Sequence, residues 1–511
     1  MARTGKSLQR AITVCACTGF MLFGYDQGVM GGLLTGPAFT AQFPEIDTTN
    51  GGKGSASLQG TVVAVYDLGC FFGAIIAFFS GEWLGRRKSI MLGCTVMVVG
   101  AALQASSYSI PQMIVGRIVA GFGNGINTSA IPVWHSELSE ASSRGKAICI
   151  ELAVNLFGIV IAYWLDYGLG FVNNPVQFRF PLAFQMVFAI LTIIFIQFLP
   201  ESPRWLIAHG RFDEARQVLW SIDVRAQSIG LDDISLKEEF DAIKYAIDEE
   251  REAAHGQTYK ALIKNGPQRF FYRTMLGIGG QFIQQICGIN LIIYYAPYIF
   301  EVSVGISHTT SALLSGILTI CFWLSSLIPI FCIERIGRRK LMIWAVAGQG
   351  VCMAVLAGTV ANGGREAGLA AIVMIFLFIC IFAVGLLATP WLVPPEYAPL
   401  AIRTKACALA TSSNWIFNFL VVEITPISIT NIGYKTYIYF AIFNFLFVPL
   451  LYFFYPETKS LTLEQIDGLF TGPKVLMHWK DSMGERGRQG SVVGTAGEAK
   501  GTIGTIQFEK S

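Results

Sequence analysis

Residues 281–295 read QFIQQICGINLIIYY, and this stretch decides the fold. It lies inside an apolar run from Met275 to Phe300, long enough to cross a bilayer, yet Gln281, Gln284, Gln285 and Asn290 set four amides at membrane depth. Amides left unpaired there are costly. At about 3.6 residues per turn, Gln281, Gln284, Gln285 and Tyr295 fall near one helical face, with Asn290 and Tyr294 on its flank. That face needs a polar partner. Two are open: a neighbouring helix, since amides hydrogen-bond across membrane bundles, or a polyhydroxylated solute in a wet cavity, since an amide both donates to and accepts from hydroxyls.

The surrounding chain has 511 residues, 53% hydrophobic and 14% charged. Soluble domains carry about 25% charged residues, so the composition specifies an all-α integral membrane protein. Twelve long apolar runs are legible in two groups of six, one within residues 11–199 and one within 272–455. The first run contains Asp26 and leads into further runs, so it reads as a retained helix rather than a cleaved leader. Residues 1–10 form a short N-terminal segment, 200–271 a polar linker and 456–511 a C-terminal tail. The linker motifs at 211–216 and 235–240 predict short amphipathic surface helices. The tail beyond Thr471 is rich in glycine, serine and threonine, and disorder is expected there. The eleven cysteines are scattered without a CxxC pair, which argues for packing rather than disulfide or metal chemistry. A net charge of +3 gives no footing for nucleic acid.

Lysine and arginine gather on one side of the predicted spans: Arg3, Lys6 and Arg10; Arg86, Arg87 and Lys88; Arg144 and Lys146; Arg338, Arg339 and Lys340; Arg403 and Lys405. With an even number of crossings this places both termini in the cytoplasm. The same segments reveal a repeat. EWLGRRK at Glu82–Lys88 recurs as ERIGRRK at Glu334–Lys340, Glu137 and Arg144 recur as Glu396 and Arg403, and Pro200-Glu201-Ser202 recurs as Pro456-Glu457-Thr458, all offset by about 250–260 positions. A duplicated half predicts two six-helix bundles related by an axis along the membrane normal, with a ligand site between them. The recurring charges Glu82, Arg86, Arg87, Glu137, Arg144, Glu201, Arg204, Arg338, Arg339, Glu396, Arg403 and Glu457 are expected to form a network that holds the halves together at the cytoplasmic ends.

Ionisable groups inside spans are functional candidates by default. Asp26 and Arg117 are the outstanding opposite charges of the first half, and their pairing or separation would decide whether Asp26 binds a proton. Asp67 and Glu151 are rival proton sites. Glu151 and Asn155, one turn apart, are expected to face a cavity together. Asp166 and Glu423 lie near span ends where water is expected to reach them. His135 reads as an interfacial histidine with its bonds satisfied.

The motifs GYDQG (24–28), LGRRK (84–88), LPESPRWL (199–206), QQICGIN (284–290), IGRRK (336–340), PPEYAPLAIRTKA (394–406) and YPETK (455–459) together resemble the sugar porter family of the major facilitator superfamily over about residues 8–470. The flanking sequence is similar to its fungal branch of glycerol–proton symporters and sugar or sugar-acid porters. The resemblance implies the major facilitator fold of twelve transmembrane helices. It also implies substrate binding by Gln284, Gln285, Asn290, Trp391, Asn414 and Trp415, with Asn418 beside them, gating by Tyr294 and Tyr295, and proton coupling by Asp26 and Arg117. Where the family often carries glutamine on the fifth span, this chain has Leu152 and Ile159, which shifts the expected substrate from glucose toward another hydroxyl pattern.

These readings converge on a monomeric multi-pass transporter, in the plasma membrane, that imports a monosaccharide or polyol by alternating access with protons. A sugar-acid porter, a facilitative uniporter and a non-transporting nutrient sensor are the alternatives. No nucleophile–base pair, metal cluster or phosphate loop is present in the sequence, so no enzyme, cofactor or metal is expected.

Overall fold

The computed structural model describes residues 4–470 except 49–51, 140–143, 227, 229, 232, 255–261, 264–265, 400, 460, 462–465 and 467. The tail expected to be disordered lies outside the described residues. The first six spans are Lys6–Leu33, Ala56–Leu84, Arg86–Ala105, Ile110–Glu137, Arg144–Leu169 and Val176–Gln197. Spans 7 to 12 are Phe270–Ile286 with Ile289–Tyr298, His308–Ser326 with Pro329–Ile336, Arg338–Asn362, Arg365–Gly385 with Thr389–Tyr397, Arg403–Ile432 and Lys435–Phe454. Ten of these pass for bilayer-crossing helices on length and apolarity alone. Spans 1 and 4, each 28 residues long, complete the two sets of six; they are diluted by the charges and glycines that the interior uses.

The repeat has a structural meaning. Spans 2 and 8 end at Gly85 and Gly337, whose φ angles of 83° and 101° are open to glycine and let the chain turn sharply into the next span. Arg86 and Arg338 then begin helices whose first amides need acceptors. Glu201 Oε1 accepts from the amides of Arg86 at 3.1 Å and Arg87 at 3.2 Å, and Glu457 Oε1 accepts from that of Arg338 at 3.0 Å. Each carboxylate also sits in the space that a Cβ at the adjoining glycine would fill. The PES and PET motifs are therefore remote N-caps, placed where the helix dipole favours an anion.

The basic residues then pair locally. Arg86 bonds Glu137 at 3.2 Å, and Arg338 bonds Glu334 at 2.7 Å and Glu396 at 3.2 Å. Arg87 donates to the Gln197 carbonyl and Arg403 to that of Ala398. Arg339 donates to the Tyr452 carbonyl. These bonds stay within one bundle, so the expectation that they tie the halves together is corrected: they fasten each half to itself, because the caps and their arginines belong to the same duplicated unit. Glu82 is exposed and offers the Trp205 indole only its backbone carbonyl, at 2.8 Å. Arg204 is half-buried, and the side chain of Arg144 lies outside the described part.

Two long interfaces join the bundles, span 2 against span 11 and span 5 against span 8, with span 1 packing on the second segment of span 7. The connection between the halves folds into Pro203–Ala208, Phe212–Ile222 and Ile234–Ala254, which share a small core of Leu206, Ile207, Leu219, Leu236 and Phe240. It is tied to the start of span 1, where Gln9 donates to the Ile222 carbonyl at 2.9 Å. Large apolar side chains such as Phe79, Phe331 and Trp344 remain on the outer surface, as a lipid-facing bundle requires.

Candidate functional site

Span 7 breaks at Cys287–Gly288, where Gly288 has φ 99°, and span 10 breaks between Gly385 and Thr389. A broken helix frees carbonyls at membrane depth, and the amides of the opening stretch meet that need. Gln284 Nε2 donates to the carbonyls of Leu386 at 2.8 Å and Leu387 at 3.0 Å, and Gln281 Nε2 donates to that of Pro390 at 3.0 Å. Asn414 Nδ2 in turn donates to Gln281 Oε1 at 2.7 Å and to Gln284 Oε1 at 3.0 Å. Asn290 donates to Gln285. Of the two partners the sequence left open, neighbouring helices take Gln281, Gln284 and Asn414. Gln285 and Asn290 form a separate pair, and each keeps 6% of its surface accessible. Trp391 is half-buried nearby on span 10. Trp415 is buried, its indole nitrogen unpartnered and its ring edge-on to Phe23 of the other bundle at 5.6 Å.

Facing this cluster across the bundle boundary is an acid–base group with no exposed surface. Arg117 reaches Asp26 at 3.5 Å, donates to the Val63 carbonyl at 3.1 Å and stacks over the Tyr66 ring at 4.5 Å. Asp67 accepts from Asn418 Nδ2 of the second bundle at 3.0 Å. The pairing of Asp26 with Arg117 was legible as the outstanding opposite charges of the first half. That of Asp67 with Asn418, 351 positions apart, was not.

At the face opposite the basic end, Tyr163 donates to the Ile293 carbonyl and Thr61 donates to Glu423 Oε1 at 2.8 Å, both across the bundles. A Cβ at Gly31 would run into the Tyr163 hydroxyl, with the Tyr294 carbonyl of the other bundle close behind, and one at Gly60 would run into the Glu423 carbonyl. Tyr295 is buried and donates to the Val422 carbonyl at 3.0 Å. The passage between the bundles is thus closed at this face.

Two expectations for the first bundle need correction. Glu151 and Asn155 do not face a cavity together: Glu151 Oε1 lies 2.5 Å from His135 Nδ1, while Asn155 lies against Gly24 of span 1. The helix places them on one side, but two different neighbours take them up. His135 Nε2 is 3.2 Å from Thr13 Oγ1, so both ring nitrogens are engaged. Asp166, expected to be wet, is buried against Gly32 with neither carboxylate oxygen bonded.

The family described as Sugar (and other) transporter matches residues 12–470. The MFS-type transporter oryC of Aspergillus oryzae is 41% identical over 483 residues, covering 94% of this chain and 88% of that protein. The sugar transporter STL1 of Saccharomyces cerevisiae is 37% identical over 472 residues, covering 91% and 82%. Among solved structures, the proton:xylose symporter XylE bound to 6-bromo-6-deoxy-D-glucose superposes with a TM-score of 0.74 at 23% identity, covering 91% of this chain and 99% of XylE. That similarity is one of fold.

Proposed function

Since this chain belongs to the Sugar (and other) transporter family, within the major facilitator superfamily, and is a multi-pass membrane transporter, we propose that it imports a monosaccharide or polyol by alternating access, coupled to protons. Gln285 and Asn290 are the hydroxyl-binding amides, because they alone of the span 7 amides keep accessible surface without being held by carbonyls at the span 10 break. Trp391 offers an indole face to the C–H side of the solute, and Trp415, Asn414 and the Gln281–Gln284 pair hold the frame. STL1 is named a sugar transporter and XylE a proton:xylose symporter, which supports the substrate class and the coupling.

The observation that carries proton coupling is the Asp26–Arg117 pair, sealed beside the bundle boundary. A buried carboxylate is stable as an anion only while a cation stays with it; if rocking draws Arg117 away, Asp26 takes a proton instead. The basic end faces the cytoplasm with both termini, by the distribution of Lys and Arg, and the chain works as a monomer in the plasma membrane. A potential of 100 mV supplies about 2.3 kcal/mol per charge, enough for about a fiftyfold concentration ratio.

The test is uptake in proteoliposomes from a panel of hexoses, pentoses, polyols and uronic acids. The expected result is concentrative uptake of one neutral polyhydroxylated class, collapsed by a protonophore, with Asp26→Asn only equilibrating the solute. Concentrative uptake by Asp26→Asn would remove the coupling assignment.

A further inference from the structure

The Asp67–Asn418 contact is one of the hydrogen bonds between the bundles, and it is incomplete. Asn418 Nδ2 donates to Asp67 Oδ1 at 3.0 Å, while Asp67 Oδ2 and Asn418 Oδ1 are both buried with no hydrogen-bond partner. Two orphaned acceptors on the same pair of groups, one from each bundle, are what an acid–amide ring looks like with its proton left out. Add one proton to Oδ2 and it donates to Asn418 Oδ1, which completes a two-bond ring and satisfies both atoms.

Charge arithmetic agrees. The groups facing Asp67 are Arg117 from span 4, Asp26 from span 1, Tyr295 and Tyr294 from span 7, the Tyr294 hydroxyl lying within reach of both Asp67 and Asn418, and Cys70 on its own span. Two carboxylates thus share one guanidinium, which lies on Asp26. An unpaired buried carboxylate is expensive, and a single proton on Asp67 brings the cluster to neutrality.

We propose that Asp67 is a proton-binding gate residue: closing span 2 onto span 11 requires a proton on Asp67, held in a ring with Asn418. The proton comes from water on the face opposite the basic end while the bundles stand apart there, forms the Oδ2–H bond, and returns to water when the ring opens. The position is distinct from the Asp26–Arg117 pair, since it couples to the gap between the bundles rather than to a partner in the same bundle. The inference rests on the alternating-access reading, but its test uses no solute.

Ser57 and Thr430 are exposed near the ends of spans 2 and 11 on the closed face and can carry a pair of fluorophores introduced as unnatural amino acids. In the full chain in nanodiscs, the energy transfer between them reports the gate as pH is varied. The wild type should open as pH rises, with the open-to-closed ratio increasing about tenfold per pH unit where closure binds one proton. Asp67→Asn, whose amide completes the ring without a proton, should stay closed at every pH. Asn418→Ala should be more open than the wild type at every pH, because the ring is lost, while keeping the slope, because burying Asp67 still takes up a proton. Gly358→Ala, in open space on span 9 and remote from the pair, should keep the wild-type slope. A wild-type slope surviving in Asp67→Asn, or a wild-type open fraction in Asn418→Ala, would overturn the proposal. Absent uptake of every solute with these gate responses intact would count against the transport reading and leave the ring standing.

Discussion

Glu151 Oε1 sits 2.5 Å from His135 Nδ1, with both side chains closed off from solvent, and Thr13 holds the far nitrogen of the same ring. Three spans of the first bundle therefore meet in one polar contact. Removing one partner strands the other in an apolar setting, which costs about 3–5 kcal/mol for a buried pair. We expect His135→Ala and Glu151→Ala each to lower the unfolding midpoint in detergent sharply, and the double variant to lose clearly less than the sum. Additive losses in that double-mutant cycle would show that the two groups act independently.

The amides separate into two classes that mutagenesis can tell apart. Gln281 and Gln284 hold carbonyls at the span 10 break, so alanine there should lower stability and surface expression. Gln285→Ala and Asn290→Ala should leave expression near normal and weaken apparent affinity by about 1–3 kcal/mol, roughly 5- to 150-fold. Dose–response uptake normalised to surface protein makes the distinction. Unchanged affinity in both variants would take the binding site elsewhere.

A wedge at Gly60 tests the closed face. A side chain there meets the Glu423 carbonyl and Pro426, so Gly60→Leu should oppose closure by about 1–3 kcal/mol, as overpacked interfaces do. The expected readout is loss of uptake with normal expression and greater labelling of the passage from that face. Gly358 on span 9 has open space around it, and Gly358→Ala should be silent in the same assays.

The capping role of the repeated glutamates predicts a symmetrical result. Glu201→Ala and Glu457→Ala each uncap the first turn of a span, and each should destabilise the protein by about 1–2 kcal/mol. Thermal unfolding followed by tryptophan fluorescence measures both. If one variant were neutral, the duplicated motif would have different jobs in the two halves.

Much of this was legible in the chain. Residues 281–295 announced buried amides in a membrane, and the EWLGRRK and ERIGRRK segments announced the duplication. What escaped was pairing over long separations. Periodicity places Glu151 and Asn155 on one side of a helix, but only packing decides that His135 takes the first and span 1 the second. Asp67 was visible as an intramembrane acid, whereas its partner Asn418 looked like a neighbour of the solute site, because nothing local to either residue tells how two bundles meet. The charges of the basic end were legible as repeated companions and joined wrongly: sequence spacing shows that glutamates accompany arginines, and not that the caps keep each group inside its own half.

The glycine turns at Gly85 and Gly337, each with a carboxylate nested against it, give the molecule two self-contained rigid blocks at the end where its cations concentrate. When the blocks tilt, those cations travel with their own counter-ions, so the swing need not strip any of these arginines of its acidic companion. Whatever resists the tilt must then come chiefly from beyond that end, where asparagine midway along the spans and tyrosine and threonine at the far face reach from one block to the other. The molecule is hinged like a clamp whose grip and whose stiffness sit at opposite ends.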